Sequence, residues 1–307
     1  MITNVIFVLS CLLLNVMGTD NAVDLQGMTC EVSGGDVSMF DGREVRNGTL
    51  VIAEGSYRLQ VKKEGGTCLR IGDNMEVVID GRLQLAPNRF KSCDMFRIVG
   101  RHVKVRGKGS ITGDRHTHTG SEGEWGMGIS LHEAKDVTIT GITIADCWGD
   151  CIYIGGASKN IRISNCQLRG SRRQGISITK AENITISNCK ISNISGTMPQ
   201  YAICIEPNKR CLVDNVVIEN VTVAGCEGGI RAVLGKKTFG NARIGKVEIR
   251  HCHVSAKSRH TIHFAGCEQT VVTNCVIETR KGEKPIFTRR VGSLLENNNK
   301  VIYTKTR

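Results

Sequence analysis

The segments Ile161-Arg-Ile-Ser-Asn165 and Ile184-Thr-Ile-Ser-Asn188 set the pattern of this chain. Each is a short β-branched run that ends in asparagine, a residue type that readily adopts a left-handed backbone. The pattern therefore predicts a short strand followed by a fixed turn. The same kind of turn residue recurs at steps of 23 to 34 residues, at Gly81, Gly107, Gly141, Asn165, Asn188, Asn220, His251 and Asn274.

A second series of strands accompanies the first, in segments such as GMGISL, GDCIYI and RQGISI. Stacked units of two or three short strands bury a continuous core that no unit could bury alone. The two series together predict an all-β fold, a single-stranded right-handed parallel β-helix of roughly eight or more coils. The register residues of this series are Ile129, Ile152, Ile176, Ile203, Ile230, Ile262 and Ile286.

Other repeat architectures fit the pattern poorly. A leucine-rich repeat needs an L-x-x-L-x-L frame, which the chain lacks, and a β-propeller needs about 40 residues per blade. One repeated frame indicates one domain, although 307 residues would permit two. We expect residues 24–75 to form the N-terminal cap and first coils, residues 76–296 the β-helix, and residues 297–307 a polar C-terminal tail.

The N-terminal segment from Ile6 to Val16 is apolar but too short to span a bilayer. Residues 1–18 are therefore predicted to be a cleavable signal peptide, which makes the protein secreted or periplasmic. A lipoprotein anchored through Cys11 is the alternative.

The 14 cysteines favour core packing over a disulfide framework, which is the alternative for an exported chain. Cys166 and Cys189 follow the turn asparagine in successive coils, and Cys252 and Cys275 hold the same place in another pair. Cysteines at one position of a coil stack as an inward ladder, because a free cysteine packs as a small apolar residue. No C-x-x-C pair is present, so structural zinc has no support.

A net charge of +12 favours an anionic partner. Nucleic acid is not predicted, because no binding motif is present and 4% aromatic residues are too few for a base-stacking platform. An acidic polysaccharide suits a secreted β-helix better, and a merely soluble basic surface is the alternative. No membrane span is predicted, and we expect a monomer or a homotrimer.

Polar residues cluster at matching offsets from the register isoleucines of neighbouring coils. Residues at equal offsets form columns with about 4.8 Å between coils, so they share one side of the rod. Asp150 and Gln174 precede their isoleucines by two positions, and Arg173 precedes by three, whereas His132 and Glu206 follow by three. We predict Asp150, Glu206, His132 and Arg173 as catalytic residues and Gln174 as a substrate contact.

The segment from Gly113 to Trp125, GDRHTHTGSEGEW, interrupts the strand pattern beside these columns. It is the expected wall of a groove, and its cationic and aromatic side chains are of the types that bind sugar hydroxyls and carboxylates. Two histidines two residues apart would need a third ligand to hold a metal, so no metal site is predicted. The predicted substrate-binding residues here are Arg115, His116, His118 and Trp125, joined by Arg172.

Three segments resemble the polygalacturonase branch of the pectate-lyase-like superfamily. Trp148-Gly-Asp-Cys-Ile-Tyr-Ile154 resembles G-D-D-C-I-A-I, with Asp150 at the second aspartate. Arg173-Gln-Gly-Ile-Ser-Ile178 resembles G-H-G-I-S-I, with Gln174 in place of histidine. Cys204-Ile-Glu206 stands where that branch carries R-I-K, and its N-T-D motif is absent. The resemblance implies a right-handed β-helix and a site that acts on uronate-containing polysaccharide.

Three functions follow from these residues. As a glycoside hydrolase without a cofactor, the protein would use Asp150 and Glu206 as its carboxylate pair. As a polysaccharide lyase working by β-elimination, it would use Arg173 or His132 to stabilise the developing negative charge, and Ca²⁺ bound through the two carboxylates could assist. The third reading is a non-catalytic glycan-binding or structural β-helix protein.

Overall fold

The structure is a computed structural model that describes residues 6–8, 22–33, 42–235, 240–257 and 260–304. Within these ranges the chain forms parallel strands and turns, and no helix. The predicted signal peptide lies outside the described residues except for the strand at Ile6–Val8. The described part of the predicted tail forms the last strand of the stack, Lys300–Thr304.

The strands make three parallel sheets, and the chain visits sheet 2, sheet 1 and sheet 3 in turn. Crossover connections between parallel strands are right-handed. The architecture is thus the right-handed parallel β-helix predicted from the sequence. Sheet 1 has twelve strands: β1 (Ile6–Val8), β3 (Thr29–Val32), β5 (Gly48–Ile52), β8 (Met75–Ile79), β11 (Arg101–Arg106), β14 (Lys135–Thr140), β17 (Ser158–Ser164), β20 (Ala181–Ser187), β23 (Leu212–Glu219), β26 (Arg243–Arg250), β29 (Cys267–Thr273) and β32 (Ser293–Asn297).

Sheet 2 carries the register isoleucines, which pair from coil to coil as predicted, from Ile129 on β13 to Ile286 on β31. Phe96 and Leu69 continue the same column toward the N-terminus. Sheet 2 has eleven strands: β2 (Ala22–Asp24), β4 (Glu44–Arg46), β7 (Thr67–Ile71), β10 (Ser92–Ile98), β13 (Trp125–His132), β16 (Asp150–Gly155), β19 (Gln174–Ile178), β22 (Tyr201–Ile205), β25 (Gly228–Val233), β28 (Ile262–Ala265) and β31 (Ile286–Arg289).

Sheet 3 closes each coil with short strands, most of which bury one or two aliphatic side chains against the other sheets. Its ten strands are β6 (Ser56–Leu59), β9 (Arg82–Leu85), β12 (Ser110–Thr112), β15 (Thr143–Ala145), β18 (Gln167–Arg169), β21 (Lys190–Ser192), β24 (Thr222–Cys226), β27 (His253–Ala256), β30 (Val276–Arg280) and β33 (Lys300–Thr304).

The corner between sheet 1 and sheet 3 is nearly constant. From β14 onward it is a two-residue turn whose first residue has positive φ, as the sequence pattern predicts. Gly107 also has positive φ, but Gly81 does not. A Cβ at Gly81 would lie 2.5 Å from the Tyr57 ring and 2.6 Å from the Ala53 carbonyl oxygen, so close packing requires glycine there.

In the turns that lead into β15 to β30, the second residue is buried and completes the core. Cys166, Cys189, Cys252 and Cys275 hold this position with 1–2% of their surface exposed. All four are free, as are the other cysteines that the structure describes. The predicted core ladder of cysteines is therefore what the structure contains.

The two corners that flank sheet 2 absorb the variation in coil length. Between sheets 3 and 2, the connection ranges from residue 227 alone to residues 113–124. Between sheets 2 and 1, it ranges from Gly266 alone to residues 234–242. The connections that vary in length therefore lie at the two edges of sheet 2 in the chain order of each coil.

Truncation of one register isoleucine tests the stacked core. Ile176→Ala removes a fully buried side chain between Ile152 and Ile203, so we expect a loss of about 2–5 kcal/mol in the free energy of unfolding. The matched control is Arg162→Ala, on the exposed face of sheet 1, which should change stability by about 0.5 kcal/mol or less. Chemical denaturation measures both, and equal effects would contradict the predicted register.

Candidate functional site

The outer face of sheet 2 carries a cavity of about 270 Å³ near the middle of the rod. Strands β10, β13 and β16 supply most of its lining, and the residues directly before and after β19, Arg173 and Thr179, complete it. Trp125, at the end of the loop formed by residues 113–124 (the wall loop), stands on one side. Polar and aromatic side chains from successive coils therefore meet in one place. The lining includes Asp94, Arg97, Trp125, His132, Tyr153 and Arg173.

A local irregularity in each sheet 2 strand sets which side chains reach this face. In β16, Cys151 and Ile152 are consecutive and both fully buried in the core. The two residues flanking them therefore lie on the outer side. Asp150 bonds to Ser177 on the next coil, and Tyr153 bonds to Thr179 at 2.8 Å.

Asp150 is fully buried on this outer side, beneath an arginine. Arg173 Nη1 donates to both carboxylate oxygens, at 3.0 and 3.3 Å, and the Ser177 hydroxyl donates at 2.6 Å. Burial raises the pKa of Asp150 to about 6, because the favourable contacts with Arg173 and Ser177 only partly offset the lost hydration. A buried carboxyl that titrates near neutrality is a feature of acid–base sites.

Arg173 lies close to several of the charged groups in the site, and its side chain is 17% exposed. Its Nε lies 3.5 Å from Glu124 Oε2, in the wall loop. Burial lowers the pKa of Arg173, but Asp150 and Glu124, with a smaller effect from Glu206, outweigh burial and raise it. Arg173 thus stays cationic between carboxylates from three different coils.

Glu206 follows β22, two coils beyond Asp150 on the same face. Its side chain is 40% exposed, and Arg231 Nη1 lies 3.9 Å from its Oε2. The Cys204 thiol donates to the same oxygen at 3.6 Å. The structure therefore places Asp150, Arg173 and Glu206 on one face of sheet 2, as the sequence columns predict, and leaves Glu206 accessible to water.

The sequence reasoning missed a second buried carboxylate, Asp94 on β10. Arg97 Nε donates to it at 2.6 Å, and burial raises the pKa of this carboxyl. Asp94 pairs with Met127, so it stands two coils before Asp150 in nearly the same column. The signal was present: Asp94 precedes Phe96 by two positions, but the register series was begun one coil later, at Ile129.

His132 lies in the groove as predicted. Its ring centroid is 5.3 Å from that of Tyr153, at a tilt of 31°. Burial lowers the pKa of His132, and nearby Asp94 only partly offsets this. The ring is therefore neutral at neutral pH, and it offers a hydrogen-bond donor and an acceptor rather than a charge.

The structure gives His118 a different place from the predicted one. Its side chain is fully buried, stacked on Trp148 at a centroid distance of 3.9 Å, and its Nδ1 lies 2.8 Å from Asp114 Oδ2. The Arg172 guanidinium lies 3.7 Å from the centroid of the Trp148 ring, which leaves it the opposite face. His118 therefore anchors the wall loop and cannot contact a substrate.

The other predicted binding residues differ in how far their side chains are exposed. Trp125 is 49% exposed at the groove rim, and His116 is exposed, 3.5 Å from Asp146. Arg115 donates to the carbonyl oxygen of Gly170 and so holds the wall loop. Gln174 is buried beside Asp150, and its Oε1 has no hydrogen-bond partner among the described residues.

Within the described residues, no group of three or more His, Cys, Asp or Glu side chains converges in a way that would hold a metal ion. The two oxygens of Asp150 already accept hydrogen bonds from Arg173 and Ser177. Nor does any segment that the structure describes form an apolar helix with the length that crossing a bilayer requires.

Comparison with known proteins agrees with the fold. The model of the family described as "Right handed beta helix region" matches residues 57–205 and 127–305, more than half of the chain. The chain belongs to this right-handed β-helix family.

Individual relatives are more distant. The SPbeta prophage-derived uncharacterized protein YorA of Bacillus subtilis is 30% identical over 187 residues, which are 53% of this chain and 32% of YorA. The chain thus spans about a third of the length of that relative.

Two solved structures share the architecture at low identity. An exopolygalacturonase from Thermotoga maritima has a TM-score of 0.58 at 14% identity, covering 83% of this chain and 73% of its own. A tailspike protein of E. coli bacteriophage HK620, in complex with a pentasaccharide, has a TM-score of 0.57 at 14% identity, covering 84% and 56%.

The raised pKa of Asp150 can be measured directly. We expect its carboxyl carbon to titrate near pH 6 by NMR, with Asp150→Asn used to assign the signal. The folded protein then holds this proton from about pH 4 to pH 6 while the unfolded chain loses it, so the group lowers stability as pH rises, by about 3 kcal/mol in all. Titration near pH 4 would contradict the buried environment.

The stack on Trp148 should hold the wall loop in place. Arg172→Ala removes a partly desolvated cation–π contact of about 1 kcal/mol or more and the hydrogen bond that Arg172 Nη1 donates to the Gly123 carbonyl oxygen, so amide exchange in residues 115–124 should quicken roughly fivefold or more. Arg169→Ala, whose side chain is 53% exposed and makes no ring contact among the described residues, is the control. Equal exchange in both variants would mean that the stack does not anchor the loop.

Proposed function

We propose that the protein is a secreted, carbohydrate-active enzyme, a glycoside hydrolase that cleaves an acidic, uronate-containing polysaccharide in the groove of sheet 2. The observation that carries the proposal is the placement of Arg173. It lines the groove while covering Asp150, whose pKa is raised to about 6, and Glu206 stands open to water on the same face. The fold shared with an exopolygalacturonase and a pentasaccharide-binding tailspike supports this substrate class.

In this mechanism Asp150 is the general acid and Glu206 the general base. Asp150 protonates the glycosidic oxygen as the bond to the anomeric carbon breaks, and Glu206 takes a proton from the water that attacks the opposite face of the sugar. The two residues lie two coils apart, about 10 Å along the axis. That separation is close to the inverting range of roughly 6.5–9.5 Å and too large for a retaining pair at about 5 Å.

The substrate carboxylate has a specific part in this scheme. Arg173 is the group that covers Asp150, and a uronate carboxylate competes for the same guanidinium. When Arg173 turns to the substrate, Asp150 loses the contact that lowers its pKa and becomes protonated. Binding of an acidic sugar therefore both exposes the Asp150 carboxyl group to the substrate and favours its protonated form.

The experiment uses a panel of acidic polysaccharides and two readouts, reducing-end release and the ultraviolet absorbance of an unsaturated uronate. We expect reducing ends without absorbance, and a kcat/KM that falls above about pH 6, because this ratio reports the loss of the Asp150 proton in the free enzyme. Asp150→Asn and Glu206→Gln should each lower the rate by roughly 10²–10⁴-fold. Glu182→Gln, on sheet 1 away from the groove, is the matched control.

Other outcomes reassign the chemistry. Absorbance together with new reducing ends would mean β-elimination, with Arg173 and His132 stabilising the charge, and its dependence on Ca²⁺ would then be tested with a chelator. If Asp94→Asn abolishes activity while Glu206→Gln does not, the carboxylate pair is Asp94 and Asp150. Full activity of both Asp150→Asn and Glu206→Gln would refute the proposed site.

A second candidate function is glycan binding without cleavage. The observation in its favour is that both buried carboxylates, Asp94 and Asp150, are already ion-paired with an arginine. Binding by calorimetry without either chemical readout, across the whole panel, would establish this candidate instead.

A further inference from the structure

A second cavity, of about 480 Å³, lies on the same outer face of sheet 2, nearer the C-terminus. Strands β25, β28 and β31 form its floor, so it begins one coil beyond β22, the strand that precedes Asn208 of the first cavity. No part of the proposed hydrolytic mechanism uses it. Its size and position call for a separate explanation.

The lining of this cavity is cationic. It contains Arg231, Arg289 and Arg290, and none of its described lining residues is an Asp or a Glu. Arg231 Nε is buried and has no hydrogen-bond partner among the described residues. The first cavity pairs its arginines with Asp94 and Asp150, whereas the described lining of this one contains arginines and no carboxylate, and Glu206, outside the lining, lies 3.9 Å from Arg231. The lining therefore has a net positive charge, which favours an anionic ligand.

The same lining offers flat and apolar surface beside the charge. His260 stacks on the Phe287 ring at a centroid distance of 4.2 Å, His263 meets that ring edge to face at 5.1 Å, and Leu234 completes the apolar side. Burial, with the neighbouring Arg231 and His260, lowers the pKa of His263 to about 4, so its ring is neutral at neutral pH. A carboxylate beside the apolar face of a sugar ring matches this combination of groups.

The two cavities are linked by one column of outward side chains. Ser177, Cys204, Arg231, His263 and Phe287 pair in succession from β19 to β31. Glu206 lies directly after β22, the strand between β19 and β25, and its Oε2 is 3.9 Å from Arg231 Nη1. A chain that runs along the axis from the first cavity to the second must therefore pass over Glu206.

We propose that the second cavity is a binding subsite for a further uronate residue of the same polysaccharide, which lies along the rod axis across both cavities with Glu206 between them. The inference rests on the proposed function and deepens it, because it assigns where the chain extends. Its consequence is a dependence on length: an oligosaccharide must reach Arg289 and Arg290 to bind tightly.

The test is calorimetric titration with size-sorted oligosaccharides of the panel polysaccharide that binds the native protein most tightly. Arg289→Gln with Arg290→Gln should weaken the long oligosaccharides by tenfold or more and leave fragments that fill only the first cavity unchanged. Arg173→Gln should weaken both classes. Arg162→Gln with Lys190→Gln, on sheets 1 and 3, removes the same charge from other faces as a control.

Two failures are distinguishable. If the native protein binds short and long oligosaccharides and the Arg289/Arg290 variant matches its charge control at every length, the second subsite is overturned and the proposed function stands. If the variant weakens both length classes equally, the effect is long-range charge and the subsite is again overturned. Absence of any binding by the native protein overturns both proposals.

Discussion

The backbone hydrogen bonds between consecutive coils govern the rest of this structure. They run along the axis and fix each strand to the one before it, so no strand can slip without turning its inward residues outward. Differences in coil length must therefore be taken up at corners. The corner marked by Asn165 and Asn188 stays nearly constant, and both corners beside sheet 2 vary. The first cavity lies beside such a corner, because Trp125, at the end of the long connection of residues 113–124, is part of its lining.

Burial of charge distinguishes this groove from the other faces of the rod. Most ion pairs on the outer faces of sheets 1 and 3 are half exposed, and such pairs contribute little to stability. The ion pair between Asp150 and Arg173, in contrast, is largely buried. Removing either residue would leave the other charge buried without a counter-charge. A fold gains little from keeping such a pair for stability alone. Its retention at the floor of an open groove is consistent with use of Arg173 by an anionic ligand.

The register isoleucines and the turn residues were enough to predict the fold, because both report a backbone constraint that acts within one coil. The columns around Asp150, Arg173 and Glu206 followed from the same register. Asp94 was missed only because the series started too late. His118 could not be placed from sequence, since it lies in the long connection of residues 113–124 and its burial depends on a contact with Trp148 of the next coil. The backbone of Gly81 was predicted wrongly, because a sequence does not show whether glycine is required for a left-handed turn or for close packing.

Asp150, the candidate acid, lies well inside a stack of coils, and this position affects how easily the structure around it opens locally. In a solenoid each coil gains stability mainly from its two neighbours, so the first coils to open are those at the ends. Asp150 has several sheet 2 strands on either side of it. Local opening at Asp150 therefore requires the loss of contacts with coils on both sides. The second cavity reaches β31, which pairs with β28 on one side in the part of the chain that the structure describes, so local opening there breaks fewer contacts.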